Sequence, residues 1–168
     1  LSYFDSLYFA STTGSVNHYL QSISGSSLSL SGTVNGWYQS TNNRAYYGSQ
    51  DIGAPNAAMA RELVREAVIS ADLYGVNFSD YDLDGDGYVD HLAVIHAGHD
   101  AAESYDSDDI WSHSWHLPGP YRTSDGTNVL NYVITAEESH LGTHVHELLH
   151  DFGAPDLYDT GYVGMPVR

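Results

Sequence analysis

Between His146 and Asp156 the chain reads His-Glu-Leu-Leu-His-Asp-Phe-Gly-Ala-Pro-Asp. On a helix, His146 and His150 lie one turn apart and present both imidazoles to the same side. Two nitrogen ligands so placed suit a zinc ion, and Glu147 beside them is positioned to take a proton from a metal-activated water. Gly153 can end the helix with positive φ, after which Asp156 returns as a third, oxygen ligand. Asp159 competes for that place, because the chain after Pro155 is free to bend. Asp151 does not, being turned about 100° from His150 around the helix. His144 lies about 200° from His146 and cannot share an ion with it. The chemistry these spacings predict is metal-assisted hydrolysis with Glu147 as the base.

A second cluster is Asp82-Leu-Asp84-Gly-Asp86-Gly-Tyr88-Val-Asp90. Acids at relative positions 1, 3, 5 and 9, with glycine at 6, match the start of an EF-hand calcium loop, in which Tyr88 offers its backbone carbonyl. Ala93 stands where the bidentate glutamate belongs, and His91–His96 reads as a strand instead of an exiting helix. The expectation is a structural Ca2+ held by Asp82, Asp84, Asp86, Tyr88 and Asp90, with Asp80 and Asp72 as candidates for the missing ligands. A plain acidic turn is the alternative. His96, His99, His113 and His116 lack helical ligand spacing and read as cleft rim or core.

The stretch HELLHDFGAPDLYD resembles the immune-inhibitor-A type of secreted zinc metallopeptidase, whose members carry His-Glu-x-x-His-x-x-Gly-x-Pro-Asp. GWY at 36–38, RAYYG at 44–48, FSDYDLDGDGYVDHLAVIHAG at 78–98 and DIWSHSW at 109–115 are also similar to that family's catalytic domain, so the likeness covers nearly the whole chain. It implies a zincin-like fold and Zn2+ held by His146 and His150, with Asp156 as third ligand and Glu147 as catalytic base. It further implies a zinc endopeptidase acting on protein or peptide substrates, secreted to the extracellular space as a zymogen with an inhibitory propeptide. Leu149 departs from the family's usual glycine. A methionine turn beneath the metal would fall to Met165. The motif fixes water activation but not the acyl group attacked. Two alternatives therefore stand beside the endopeptidase: a zinc hydrolase of a non-protein substrate, and a catalytically inactive metal-binding module. The oxyanion donor stays open, Tyr158 and Tyr162 being the nearest residues that could supply it.

Elements must position these groups. Leu141, Val145, Leu148, Leu149 and Phe152 recur at helical spacing and predict a buried stripe along the helix that carries the histidines. Glu137, Glu138 and Ser139 precede it as acids and a cap. Upstream, Asn56–Leu73 predicts a helix with Ala60, Leu63, Val64, Ala67, Val68 and Ala71 inward. Val16–Ile23 predicts a short helix, and Leu1–Ala10 an aromatic segment packed on the body. Period-two alternation over Leu28–Trp37 predicts a strand burying Leu28, Leu30 and Val34. Leu92–Ile95 predicts a strand covered on both faces; Ile110–Trp115 alternates, and Val129–Ile134 predicts another strand. Gln39–Pro55, Ala101–Asp109 and Pro118–Gly126 read as loops. The fold class expected is α+β: a small twisted mixed sheet, a backing helix and an active-site helix.

With 168 residues the chain is expected to form one catalytic domain, 1–168, short for its kind at the C-terminal end. The opening at Leu1 is expected of a processed or excised domain. Five Lys+Arg against 22 Asp+Glu give a formal net charge of −17, which repels nucleic acid and anionic membranes and attracts cations. There is no cysteine, which excludes disulfides and a thiol nucleophile within the chain. No apolar run of membrane-spanning length occurs.

Overall fold

The computed structural model describes residues 1–48 and 58–156. Its centre is a three-stranded mixed sheet in the order β1-β3-β2. The strands are β1 (Ala93–His96), β2 (His113–Arg122) and β3 (Asn128–Ala136). β1 runs parallel to β3, with Ala93 opposite Val133 and His96 opposite Ala136. β2 runs antiparallel, with Ser114 opposite Val133 and Tyr132 opposite Trp115. The fold is thus mixed α and β, as expected.

β3 is the strand covered on both sides. Tyr132 and Ile134 pack into a core with Tyr47, Ala60, Val64, Val68 and Phe78, most of it from the backing helix α4 (Ala58–Leu73). Val133, on the other face, packs with Tyr8, Val16, Leu20, Val145 and Leu148. These come from α1 (Ser2–Phe9), α2 (Val16–Ile23) and α6 (Leu141–Asp151). The described residues also include two short helices, α3 (Arg44–Gly48) and α5 (Ala101–Ser104), and a 3-10 turn at Phe78–Tyr81. The helix α2 begins where Ser15 accepts the His18 N–H, a side-chain N-cap. The sheet therefore separates two cores, and α6 lies on the smaller one.

Several expectations are corrected. No strand forms over Leu28–Trp37. Leu28 N donates to Ser24 Oγ at 2.9 Å and Leu30 N to Asn17 Oδ1 at 2.8 Å, so side-chain acceptors take the amides a ladder would need. Leu28 is 46% exposed, and only Leu30 reaches the α2–α6 core. Conversely, β2 continues through Pro118 and Pro120 to Arg122, where a loop was expected. It lies at the sheet edge with its register shifted between His116 and Tyr121, a place where proline costs no ladder bond. The apolar β1 is also an edge, with Ala93 exposed. Arg44–Gly48 is helical within the expected 39–55 loop, and Ala101–Ser104 is helical within the acidic segment. There Asp109 pairs with Arg44 and accepts the Ser104 hydroxyl at 2.7 Å.

Candidate active site

α6 is placed by its stripe. Val145 and Leu148 are buried against Val133, with Leu141 and Leu149 beside them. Its N-cap is His140, with no side-chain cap bond; Ser139, expected to cap, instead bonds the Ala136 N–H and Asp100. The C-terminus closes as a Schellman turn. Gly153, at φ +86°, donates to His150 O at 2.8 Å, and Ala154 N donates to Leu149 O at 2.9 Å. Gly153 does what its position predicted.

That turn delivers Asp156 to the histidines. His146 Nε2 and His150 Nε2 are 3.0 Å apart, and Asp156 Oδ1 stands 3.1 Å from His150 Nε2 and 3.4 Å from His146 Nε2. The carbonyl of Ala154 can only accept, so His150 Nδ1, at 2.8 Å, donates to it. In the neutral ring Nε2 then turns its lone pair toward the other two atoms. Asp156 Oδ1 is out of contact with solvent and accepts no hydrogen bond among the described residues. Tetrahedral zinc with bonds of about 2.0–2.1 Å separates its ligand atoms by roughly 3.3 Å. The donor set, its spacing and the unbonded carboxylate oxygen all fit such an ion.

Glu147 is 7% exposed on the flank of α6 that faces β2. Its carboxylate lies with the two imidazoles in a group whose donor atoms are within 4.8 Å of one another. Burial raises its pKa to about 7; the neighbouring His150 lowers it, the Asp100 and Asp156 charges raise it, and the Ser114 N–H lowers it. Beneath it, His144 is a core residue, 1% exposed. Its Nδ1 lies 3.1 Å from Tyr8 Oη and 2.9 Å from Thr135 Oγ1. It stays away from the histidine pair, as its helical phase predicted.

The 82–90 loop has a different character. Asp82, Asp84 and Asp86 gather their carboxylates within 4.8 Å. Each also accepts a loop amide: Gly87 N to Asp82 at 3.0 Å, Asp86 N to Asp84 at 3.1 Å, Tyr88 N to Asp86 at 2.8 Å. Asp90 accepts Leu83 N at 2.9 Å, and Tyr88 forms a bridge to Asn128. Asp72 is committed elsewhere, to Ser124 and Tyr121, and Asp80 to Asn77. Leu157, Tyr158, Asp159, Tyr162 and Met165 lie outside the described residues.

Two contacts had no sequence signal. Asp100, 1% exposed, bonds both the hydroxyl and the N–H of Ser112 and so ties α5 to the start of β2. His91 Nδ1 lies 2.6 Å from Asp151 Oδ2, across sixty positions of chain. The Asp151 bond holds the His91 pKa above its usual value against the opposing effect of burial.

A family model described as "Immune inhibitor A peptidase M6, catalytic domain" matches residues 2–167. Among curated relatives, the Pre-pro-metalloprotease PrtV of Vibrio cholerae serotype O1 (strain M66-2) is 37% identical over 180 residues, 89% of this chain and 19% of the relative. Immune inhibitor A of Bacillus thuringiensis subsp. alesti is 34% identical over 179 residues, 87% of this chain and 26% of the relative. The chain spans about a fifth to a quarter of the length of these curated relatives.

Proposed function

This chain belongs to the immune inhibitor A peptidase M6 family, and from that premise we propose that it hydrolyses peptide bonds in protein substrates, with zinc held by His146, His150 and Asp156. The observation that carries the reading is the convergence of three donor atoms, 3.0 to 3.4 Å apart, on one point beside a buried carboxylate. Residues 1–168 act as one catalytic domain.

Zinc at that point would supply Lewis-acid activation of water and polarisation of the scissile carbonyl. Glu147 accepts the proton of the attacking water and passes it to the departing amine. Burial favours its neutral form and raises its pKa to about 7 in the metal-free chain; the charge of a bound zinc would draw it back down toward the carboxylate form that accepts a proton. The Ser114 N–H fixes the carboxylate against β2, and the Ala154 carbonyl fixes the ring of His150.

The 82–90 loop is the second metal site in this proposal, a structural calcium held by Asp82, Asp84, Asp86, Asp90 and the Tyr88 carbonyl. Asp82 Oδ1, buried and without a hydrogen bond among the described residues, supports it. The "pre-pro" in one relative's name supports a secreted precursor restrained by a propeptide. Among the described residues no helix is long and apolar enough to cross a membrane.

The test is digestion of casein or a labelled peptide, with and without a zinc chelator. Cleavage should stop with the chelator and return with added zinc. Zinc binding without cleavage of any protein would leave the non-protein hydrolase or the inactive module as the better account.

A further inference from the structure

Asp151 is the last residue of α6, at the negative end of the helix dipole, where a carboxylate is disfavoured. Its side chain is nonetheless only 6% exposed. A buried carboxylate in such a place needs a donor. His91 supplies one: Nδ1 lies 2.6 Å from Oδ2, and because the carboxylate only accepts, the imidazole donates. The His91 ring also stands edge-on to Phe152, the C-cap of the helix, with centroids 4.6 Å apart. One side chain thus grips the last helical residue and its cap together.

The residues on either side of His91 are anchored. Asp90 N donates to Tyr81 O at 2.8 Å, and Leu92 O accepts Val133 N, on β3, at 2.8 Å. What His91 holds is the turn from which His150 points and beyond which Asp156 returns. In that turn Gly153 N bonds His150 O, and the Ala154 carbonyl orients the His150 ring. We propose that His91 is a positioning residue for the metal site, fixing the end of α6 through Asp151 so that His150 and Asp156 keep their geometry. The inference rests on the zinc assignment above.

Zinc dissociation constants, measured on the whole chain by competition with a chromophoric chelator, test it. His91→Phe keeps the ring against Phe152 but loses the donor, and should weaken zinc binding at least about tenfold, the range for groups that orient metal ligands. His91→Ala should do the same. His91→Asn, whose amide nitrogen can reach the place of Nδ1, should bring affinity back to within about threefold of the parent. A merely structural role would lower the melting temperature of the metal-free protein in all three variants and leave zinc affinity alone. Parental zinc affinity in folded His91→Phe, or an Asn variant as weak as the Phe variant, overturns the inference. Should His91→Ala not fold, the Phe and Asn variants still decide. Failure of the parent protein to bind zinc overturns the zinc assignment as well, whereas parental binding indifferent to His91 overturns this inference alone.

Discussion

At the end of α6, two imidazole nitrogens and a carboxylate oxygen face one another across 3.0–3.4 Å, and the oxygen accepts no hydrogen bond among the described residues. In the 82–90 loop, Asp82, Asp84, Asp86 and Asp90 each accept an N–H of their own loop. The first arrangement is imposed from outside. Sheet packing seats α6, the Schellman turn returns Asp156, and His91 braces Asp151. The second holds itself, because its glycines free the amides and its carboxylates collect them. Donor atoms seated from outside depend on every group that seats them; carboxylates that bond their own turn depend less on their neighbours, although Asp82 Oδ1, like Asp156 Oδ1, is buried without a hydrogen bond among the described residues. Removing a group should therefore have large and specific consequences at α6 and small ones in the loop.

The largest difference is expected in turnover. Glu147→Gln should retain zinc and lose about 10²–10⁴-fold in kcat/KM, the contribution of a general base. Near-parental turnover would remove Glu147 from the mechanism.

The support beneath the α6 site sets the next effect. Burial pushes the pKa of His144 down to about 4, and burial also lowers those of His96 and His113. Below about pH 6.5 the unfolded chain binds protons at these rings that the folded chain does not, so stability falls as pH falls, for His144 through the window from about 6.5 to about 4. For His144 alone, a shift from 6.5 to about 4 corresponds to roughly 3 kcal/mol. Urea unfolding of metal-free protein across the window should show the decline, and His144→Gln should flatten it. An unchanged slope in that variant would contradict the account.

Zinc affinity itself sharpens the contrast. Asp156→Ala should weaken zinc at least tenfold, since removing a ligand exceeds the effect of removing its supports. Indifference would reassign the third ligand. The loop should respond least. Calcium should raise the melting temperature of the metal-free protein by about 2–4 °C, as roughly 1 kcal/mol would in a domain of this size. Asp84→Asn with Asp86→Asn should abolish that rise and change zinc affinity less than about twofold. A large loss of zinc binding in this double variant would erase the distinction between the regions.

Much of this was legible in the sequence because it is local. The histidine spacing, the glycine that turns the chain and the acids of the loop all act within one or two turns. Val16–Ile23 and the backing helix declare themselves by periodicity and propensity. What was not legible depends on partners far along the chain. Leu28–Trp37 has the alternation of a strand, but Asn17 and Ser24 claim its amides. β2 runs through Pro118 and Pro120 because, among the described residues, no strand pairs with its outer edge, a property of the sheet and not of the segment. The burial of His144 against Tyr8 and Thr135, and the grip of His91 on Asp151, join residues that no spacing rule connects.

Whether the end of α6 is a zinc centre completed by Asp156 is read from an anomalous difference map at the zinc edge, recorded on crystals soaked in zinc. One strong peak is expected, bonded to His146 Nε2, His150 Nε2 and Asp156 Oδ1, with the carboxylate of Glu147 beside it and not bonded to it. A peak lacking the histidine pair, or one completed by Asp159 or another group with Asp156 turned away, would contradict that assignment.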